Sequence, residues 1–196
     1  MSLKQLNKII MKKILIITAI HSIFLSCAQI YQLNTNTDVP SNAYIKDVNN
    51  ELVPYEGIWK GTWDNKTFSV EFKRIKKYLD HKENNPYHKD VLIGKFRVTD
   101  SNNLVLFDNM YLSDNETKIE GTRFLLQPSK RYTLFFLDSD ICNISGDIFI
   151  SFTNLINTQL SWKFMDTTDI ITPNCPYYNA NPFPQPLPKN IILIKQ

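Results

Sequence analysis

The sequence predicts an all-β domain, in which an antiparallel up-and-down meander of about eight to nine strands closes into a barrel or a barrel-like sandwich. Three observations lead to this fold class. Apolar residues recur at every second position from Gly57 onward, turn-prone clusters separate these segments, and no segment between Gly57 and Asp166 sustains a helical period. About 170 residues follow Cys27, which is enough for one domain with a substantial core.

The first two predicted strands form a β-hairpin. Apolar or small residues share one parity in residues 58–63 and again in 68–72, and Asp64-Asn65-Lys66 between them supplies turn residues. Later segments repeat this alternation and follow one another through turns, which predicts a meander. Their apolar positions are Leu92, Gly94, Phe96 and Val98; Tyr132, Leu134 and Phe136; Ile148, Ile150 and Phe152; and Leu160, Trp162 and Phe164.

The chain becomes rich in proline after Asp166, and it ends in an apolar run at residues 191–194. Proline at this density cannot donate to a sheet ladder and favours extended backbone, so we predict a strap. We expect residues 191–194 to return as a last strand beside the first, because that placement closes the barrel and hides two sheet edges. The alternative is a disordered tail, which would leave large aliphatic side chains in water and favour aggregation.

The N-terminus has the pattern of a bacterial lipoprotein signal peptide. Lys12 and Lys13 precede a mostly apolar run over residues 14–25, and Ser26-Cys27-Ala28 follows it. The run is shorter than the roughly 20 residues that a membrane-spanning helix needs. We predict a signal peptide over 1–26, cleavage before Cys27 and attachment of lipid to its thiol. Ordinary secretion and an uncut membrane anchor are the alternatives.

This processing predicts a location and a partner for the protein. The lipid on Cys27 would hold the chain in a bilayer of the cell envelope, and we expect the outer membrane, on its periplasmic or surface face. Residues 27–50 are rich in Asn, Thr and Gln and show no sustained periodicity. We therefore predict a flexible tether over 27–50 and a single β-barrel domain, with its strap and last strand, over 51–196.

Removal of the signal peptide changes the net charge of the chain. Four of the 22 Lys and Arg residues and none of the 19 Asp and Glu residues lie in 1–26, so the formal charge falls from +3 to −1. A nearly neutral chain lacks the positive charge that supplies most nucleic-acid affinity, so we predict no nucleic-acid partner. The one basic run, residues 73–77, is explained by a solvated strand end.

Two cysteines remain besides Cys27. In an exported protein Cys142 and Cys175 stand in a compartment where disulfides form and persist. Only one intramolecular pairing is possible between two thiols, and it would close a loop of about 33 residues. We predict this disulfide, and two buried free thiols are the alternative.

Candidate catalytic and metal-binding residues are few. His81 and His88 stand near several carboxylates, but they surround a polar hairpin loop, whereas Zn²⁺ sites need a rigid framework. Asp138 and Asp140 have the residue types of a glycosidase pair, but their spacing on a strand end is more typical of a turn. The chain has no Gly-rich phosphate loop and no G-x-S-x-G motif. We therefore predict no catalytic residue, no metal site, no cofactor and no enzymatic activity.

Four motifs carry a resemblance to a known family. They are Asn42-Ala43-Tyr44-Ile45-Lys46-Asp47, Asn49-Asn50-Glu51-Leu52, Gly57-Ile58-Trp59-Lys60-Gly61-Thr62-Trp63 and Asn174-Cys175-Pro176-Tyr177-Tyr178. With these motifs the chain resembles, over essentially its whole length, an uncharacterised family of small lipoproteins from flavobacteria and their relatives, the domain-of-unknown-function family 6705. The family has no established activity, so the resemblance implies a location and domain boundaries only.

The segment Asp166-Thr167-Thr168 resembles the short O-glycosylation pattern of exported proteins in this bacterial group. The resemblance implies a glycan on Thr167, just after the last strong strand, where the chain is expected to be accessible.

The segment Gly57-Ile58-Trp59 resembles the start of the first strand in lipocalins and other calycins, which also follows a short helical turn. This resemblance implies that Trp59 packs across the closed end of a barrel whose cavity binds a small apolar ligand. Lipocalins pack an arginine of the last strand on this tryptophan, and residues 191–196 contain no arginine. The aromatic residues expected to line the cavity are Trp59, Trp63, Phe68, Phe72, Phe96 and Trp162.

Two functional hypotheses follow from this sequence. In the first, an exported lipoprotein binds a small apolar ligand inside a lipocalin-like barrel. In the second, the 12 Phe and 9 Tyr residues fill the interior, and the protein is an interaction or structural module of the cell envelope with no ligand. The two hypotheses differ in whether the barrel interior is partly empty or filled.

Overall fold

The computed structural model describes Gln5 and residues 29–34, 39–80 and 85–196. Cys27 lies outside the described residues, and so does the predicted signal peptide 1–26 apart from Gln5. The described part contains eleven strands and two short 3₁₀ turns, Val53–Tyr55 and Ser139–Ile141. The strands are β1 (Ile30–Gln32), β2 (Tyr44–Lys46), β3 (Gly57–Trp63), β4 (Lys66–Leu79), β5 (Tyr87–Thr99), β6 (Val105–Asp108), β7 (Ile119–Leu125), β8 (Arg131–Asp138), β9 (Ile144–Phe152), β10 (Gln159–Asp166) and β11 (Asn190–Lys195).

Eight of these strands form a closed antiparallel barrel, which confirms the predicted fold class. The meander runs through β3, β4, β5, β7, β8, β9, β10 and β11, and β6 is an extra strand that pairs with β5. Lys195 lies opposite Trp59, so the final apolar run does return beside the first barrel strand. On the other side the barrel closes between β5 and β7, where Ile93 lies opposite Glu120.

The barrel has two different ends. Strands β4, β7, β9 and β11 run toward one end, which carries the turns at 126–130 and 153–158 and the Val53–Tyr55 turn; we call it the turn end. The opposite end carries the turn at 139–143 and the proline-rich segment 167–189. We call that segment the strap and that end the strap end.

Strands β1 and β2 belong to the sheet, although both lie within residues 27–50. Strand β2 pairs in parallel with the start of β5, with Tyr44 opposite His88, and β1 pairs in parallel with β2. The predicted flexible tether therefore does not hold for residues 29–34 and 39–50, which are the described parts of that range. Strands of three residues are too short to show an alternating pattern, so the sequence carries no signal for them.

Buried side chains attach this N-terminal segment to the barrel. Ala43 and Ile45 are buried, and the Tyr44 hydroxyl donates a hydrogen bond to Asp90 Oδ1 at 2.6 Å. The amide of Asp47 donates to the other oxygen of Asp90 at 2.8 Å. The segment is thus fixed by apolar burial and by a buried carboxylate whose two oxygens both accept hydrogen bonds.

Candidate functional site

The strap crosses the strap end of the barrel and packs into it. Residues 186–188 are buried, and Leu187 belongs to the barrel core. The indole Nε1 of Trp162 donates a hydrogen bond to the carbonyl oxygen of Pro188 at 2.9 Å. The last part of the strap is therefore fixed to β10 by burial and by a hydrogen bond inside the core.

A disulfide joins the middle of the strap to the neighbouring turn. Cys142 is bonded to Cys175 with the two Cα atoms 5.6 Å apart, which confirms the predicted pairing. The carboxylate of Asp138 caps the turn by accepting a hydrogen bond from the Asp140 amide at 3.0 Å, so these two aspartates form the turn that their spacing predicted. The strap and the turn at 139–143 are covalently linked at this end of the barrel.

One lysine binds both carboxylates of this turn. Lys118 Nζ lies 2.6 Å from Asp138 Oδ1 and 2.7 Å from Asp140 Oδ2. Burial by itself lowers the pKa of Lys118, but the hydrogen bonds and charges of the two aspartates outweigh burial and raise that pKa above its ordinary value. The lysine is therefore cationic at neutral pH and holds the turn in place.

A cleft of about 440 Å³ opens between the strap and the strap-end residues of β9 and β10. Its volume lies within the range of about 300–1,000 Å³ that is typical of small binding sites. A second cleft of about 450 Å³ shares Thr168, Asp169 and Ile171 with it and lies beside the disulfide. The first cleft is lined by the apolar residues Ile144, Phe164, Ile171, Phe183, Pro184, Pro186 and Leu187 and by the polar residues Asp166, Thr168, Asp169, Gln185 and Lys189.

Hydrogen bonds order the first residues of the strap beside this cleft. The Thr168 amide donates to Asp166 Oδ1 at 2.9 Å, and the Ser145 amide donates to Thr168 Oγ1 at 3.1 Å. Thr167, the residue predicted to carry a glycan, is exposed, and its amide donates to the Ser145 carbonyl oxygen at 2.9 Å. Thr167 therefore lies at the strap end, next to the cleft.

The aromatic residues predicted to line an internal cavity pack on one another. The ring centroids of Phe68 and Trp162 are 5.0 Å apart, and a Cβ added to Gly94 would come within 3.1 Å of the Phe72 ring. Trp63 is half-buried and meets Phe68 edge-on at 6.2 Å. The other five residues are buried in the barrel: Trp59, Phe68, Phe72, Phe96 and Trp162. These side chains fill the barrel interior, so the strap-end cleft is the candidate binding site.

Lys195 is a residue at the turn end that the sequence analysis did not single out. Its Nζ lies 5.2 Å from the centroid of the Trp59 ring and donates a hydrogen bond to the Pro54 carbonyl oxygen at 2.9 Å. The indole Nε1 of Trp59 donates to the Tyr55 carbonyl oxygen at 2.7 Å. A cation from the last strand thus lies against this tryptophan even though residues 191–196 contain no arginine. The only signal in the sequence was the presence of a lysine at the end of the final apolar run.

The histidines and carboxylates of the predicted polar loop do not come together in the described part of the chain. His81 lies outside the described residues, and His88 packs edge-on against Tyr78 with ring centroids 5.3 Å apart. Among the described residues, no three His, Cys, Asp or Glu side chains are grouped so that they could hold a metal ion. The same residues include no helix long and apolar enough to cross a membrane.

Comparison with known proteins gives one result for this chain. A family model described as "Family of unknown function (DUF6705)" matches residues 11–196. No curated protein and no solved structure is similar enough to count as a match. Because the family model covers all of the chain except its first ten residues, the protein belongs to this family of unknown function, as its motifs predicted.

Proposed function

We propose that this protein is a non-enzymatic interaction module of the cell envelope, anchored by a lipid on Cys27, with its binding site in the strap-end cleft. The filled barrel interior is the observation that supports this function over the binding of a small apolar ligand inside the barrel. Phe68, Phe136 and Ile148 have no solvent exposure, and Phe96 lies between Phe68 and Phe136 with centroid distances of 5.9 and 6.1 Å. An interior packed in this way serves as a scaffold, as it does in other small barrels.

The strap-end cleft supports the binding role because it combines apolar surface with charges of both signs. Phe164 and Phe183 offer aromatic surface, while Asp169 and Lys189 provide a carboxylate and an ammonium group at the same cleft. The disulfide holds the strap in place before binding, which lowers the entropy lost when a partner is bound. A partner that fits this chemistry is a segment of another envelope protein that presents an apolar side chain between polar groups.

The anchor is tested by replacing the acylated residue. We expect Cys27→Ala to abolish metabolic labelling with palmitate and to shift the protein to a soluble or uncut form, because no other thiol follows the signal peptide directly. Labelling and fractionation of the unchanged protein provide the comparison. Palmitate labelling that persists in Cys27→Ala would contradict lipid attachment at this residue.

The binding site is tested by photocrosslinking in intact cells. A photoreactive amino acid at Ile170, which is 92% exposed in the strap beside the cleft, should yield a discrete adduct with another protein. The same amino acid at Phe135, which is 40% exposed on the barrel wall, is the matched control and should yield none. An adduct from position 135 but not from position 170 would contradict the assignment of the cleft.

A further inference from the structure

The first described strand begins very close to the predicted lipid in the sequence. Only Ala28 separates Cys27 from Gln29, the first residue of the described domain, and β1 begins at Ile30. Three residues of fully extended chain span at most about 10 Å. A lipid on Cys27 would therefore hold β1 within that distance of the membrane surface. The domain cannot move far from the bilayer on so short a connection.

Strand β1 lies at the turn end of the barrel. It pairs with β2, and β2 in turn pairs with the beginning of β5 at His88. The next residue of β5, Lys89, donates a hydrogen bond from Nζ to the Thr122 carbonyl oxygen of β7 at 2.6 Å. Strand β7 leads into the turn at 126–130, where Lys130 Nζ lies 2.6 Å from Glu51 Oε1. The beginning of β1 and the turn after β7 are thus at the same end of the molecule.

The turns at this end expose large aliphatic side chains. Leu155 and Ile156 are 102% and 75% exposed in the turn between β9 and β10, and Leu126 is 59% exposed in the turn between β7 and β8. The two turns are neighbours, because Lys130 and Asn157 line one shallow cleft with the Val53–Tyr55 turn. Aliphatic side chains grouped at one exposed end are typical of a surface that meets a partner or a membrane.

We infer that the turn end lies on the membrane surface, with Leu126, Leu155 and Ile156 inserted among the lipid head groups and the upper acyl chains. The inference rests on the proposed anchor at Cys27, because the short connection to β1 brings this end to the bilayer. Aliphatic side chains that enter this layer leave water, which favours the orientation. The strap end then faces away from the membrane, where its cleft is open to a partner.

The orientation is tested on the full-length acylated protein, reconstituted into vesicles of phosphatidylethanolamine and phosphatidylglycerol. An environment-sensitive fluorophore is attached to Leu155→Cys, and to Ile170→Cys as the matched control at the strap end. We expect the fluorophore at position 155 to shift to shorter wavelength and to be quenched several-fold more strongly by spin-labelled lipid than the one at position 170. Addition of Ile156→Glu to Leu155→Cys should weaken that quenching.

Two failures are distinguishable in the same samples. Equal quenching at both positions, or stronger quenching at position 170, in protein whose mass confirms acylation would overturn the orientation and leave the anchor intact. Protein that lacks the lipid on Cys27 and does not sediment with vesicles would overturn the anchor, and the orientation with it.

Discussion

Lys195 joins three segments of the chain at the turn end of the barrel. Its ammonium group lies over the Trp59 ring of β3, and it donates to the Pro54 carbonyl oxygen of the 3₁₀ turn. Trp59 in turn donates to the Tyr55 carbonyl oxygen, so the turn is held by two hydrogen bonds from different strands. One cation therefore connects the last strand, the first barrel strand and the turn that precedes it.

We expect Lys195→Met to lower the free energy of unfolding by about 1–2 kcal/mol, because methionine keeps most of the aliphatic stem but loses the cation–π contact and the hydrogen bond. Urea unfolding followed by tryptophan fluorescence measures the change. Lys163→Met, at an exposed position on β10, is the control and should change stability by less than about 0.5 kcal/mol. Equal stability of the two variants would show that the Lys195 contacts contribute little.

The basic run on β4, residues 73–77, forms salt bridges with acidic residues from other segments of the chain. Lys73 forms a salt bridge with Asp114, Lys77 with Glu120, and Arg74 with Asp47 at 3.2 Å. The sequence predicted a solvated strand end, because the acidic partners come from distant segments that a one-dimensional pattern does not bring together. The run attaches β4 to the N-terminal segment, to the β6–β7 connection and to β7.

The disulfide gives a prediction for the strap as an element. Cys142 and Cys175 should resist thiol reagents in the native protein until a reductant is added, because both are bonded. The double variant Cys142→Ser/Cys175→Ser should lose about 3–4 kcal/mol of stability, since a loop of 33 residues is no longer closed in the unfolded chain. Mass spectrometry after alkylation measures the first effect and urea unfolding the second. Alkylation of both cysteines without reductant would contradict the bond.

The barrel as a whole was predictable from the sequence, whereas the candidate site was not. The alternation of residues such as Phe68 and Phe96 reports directly which face of a strand is buried, and the apolar run at 191–194 needs a sheet to cover it. Whether the inward aromatic rings fill the barrel depends on how they pack across strands. The path of the strap depends on Leu187 reaching the core, a contact between segments that no local pattern specifies.

If the barrel is filled, removing an aromatic ring from the interior should lower stability more than removing one from the outer wall. Phe68 is fully buried against Phe96 and Trp162, so Phe68→Ala should cost about 3–5 kcal/mol and leave a cavity. Phe135 is 40% exposed on the barrel wall, and we expect Phe135→Ala to cost clearly less in the same urea titration.

The cavity itself can be detected by a small apolar probe. An apolar cavity made by truncating a large core side chain stays dry and can bind benzene, so benzene should raise the melting temperature of Phe68→Ala. The unchanged protein should show no such rise, because its interior has no space for the probe. A comparable rise in the unchanged protein would mean that the barrel already contains an empty apolar space. That result would restore the hypothesis of a small apolar ligand inside the barrel and weaken the case for the strap-end cleft.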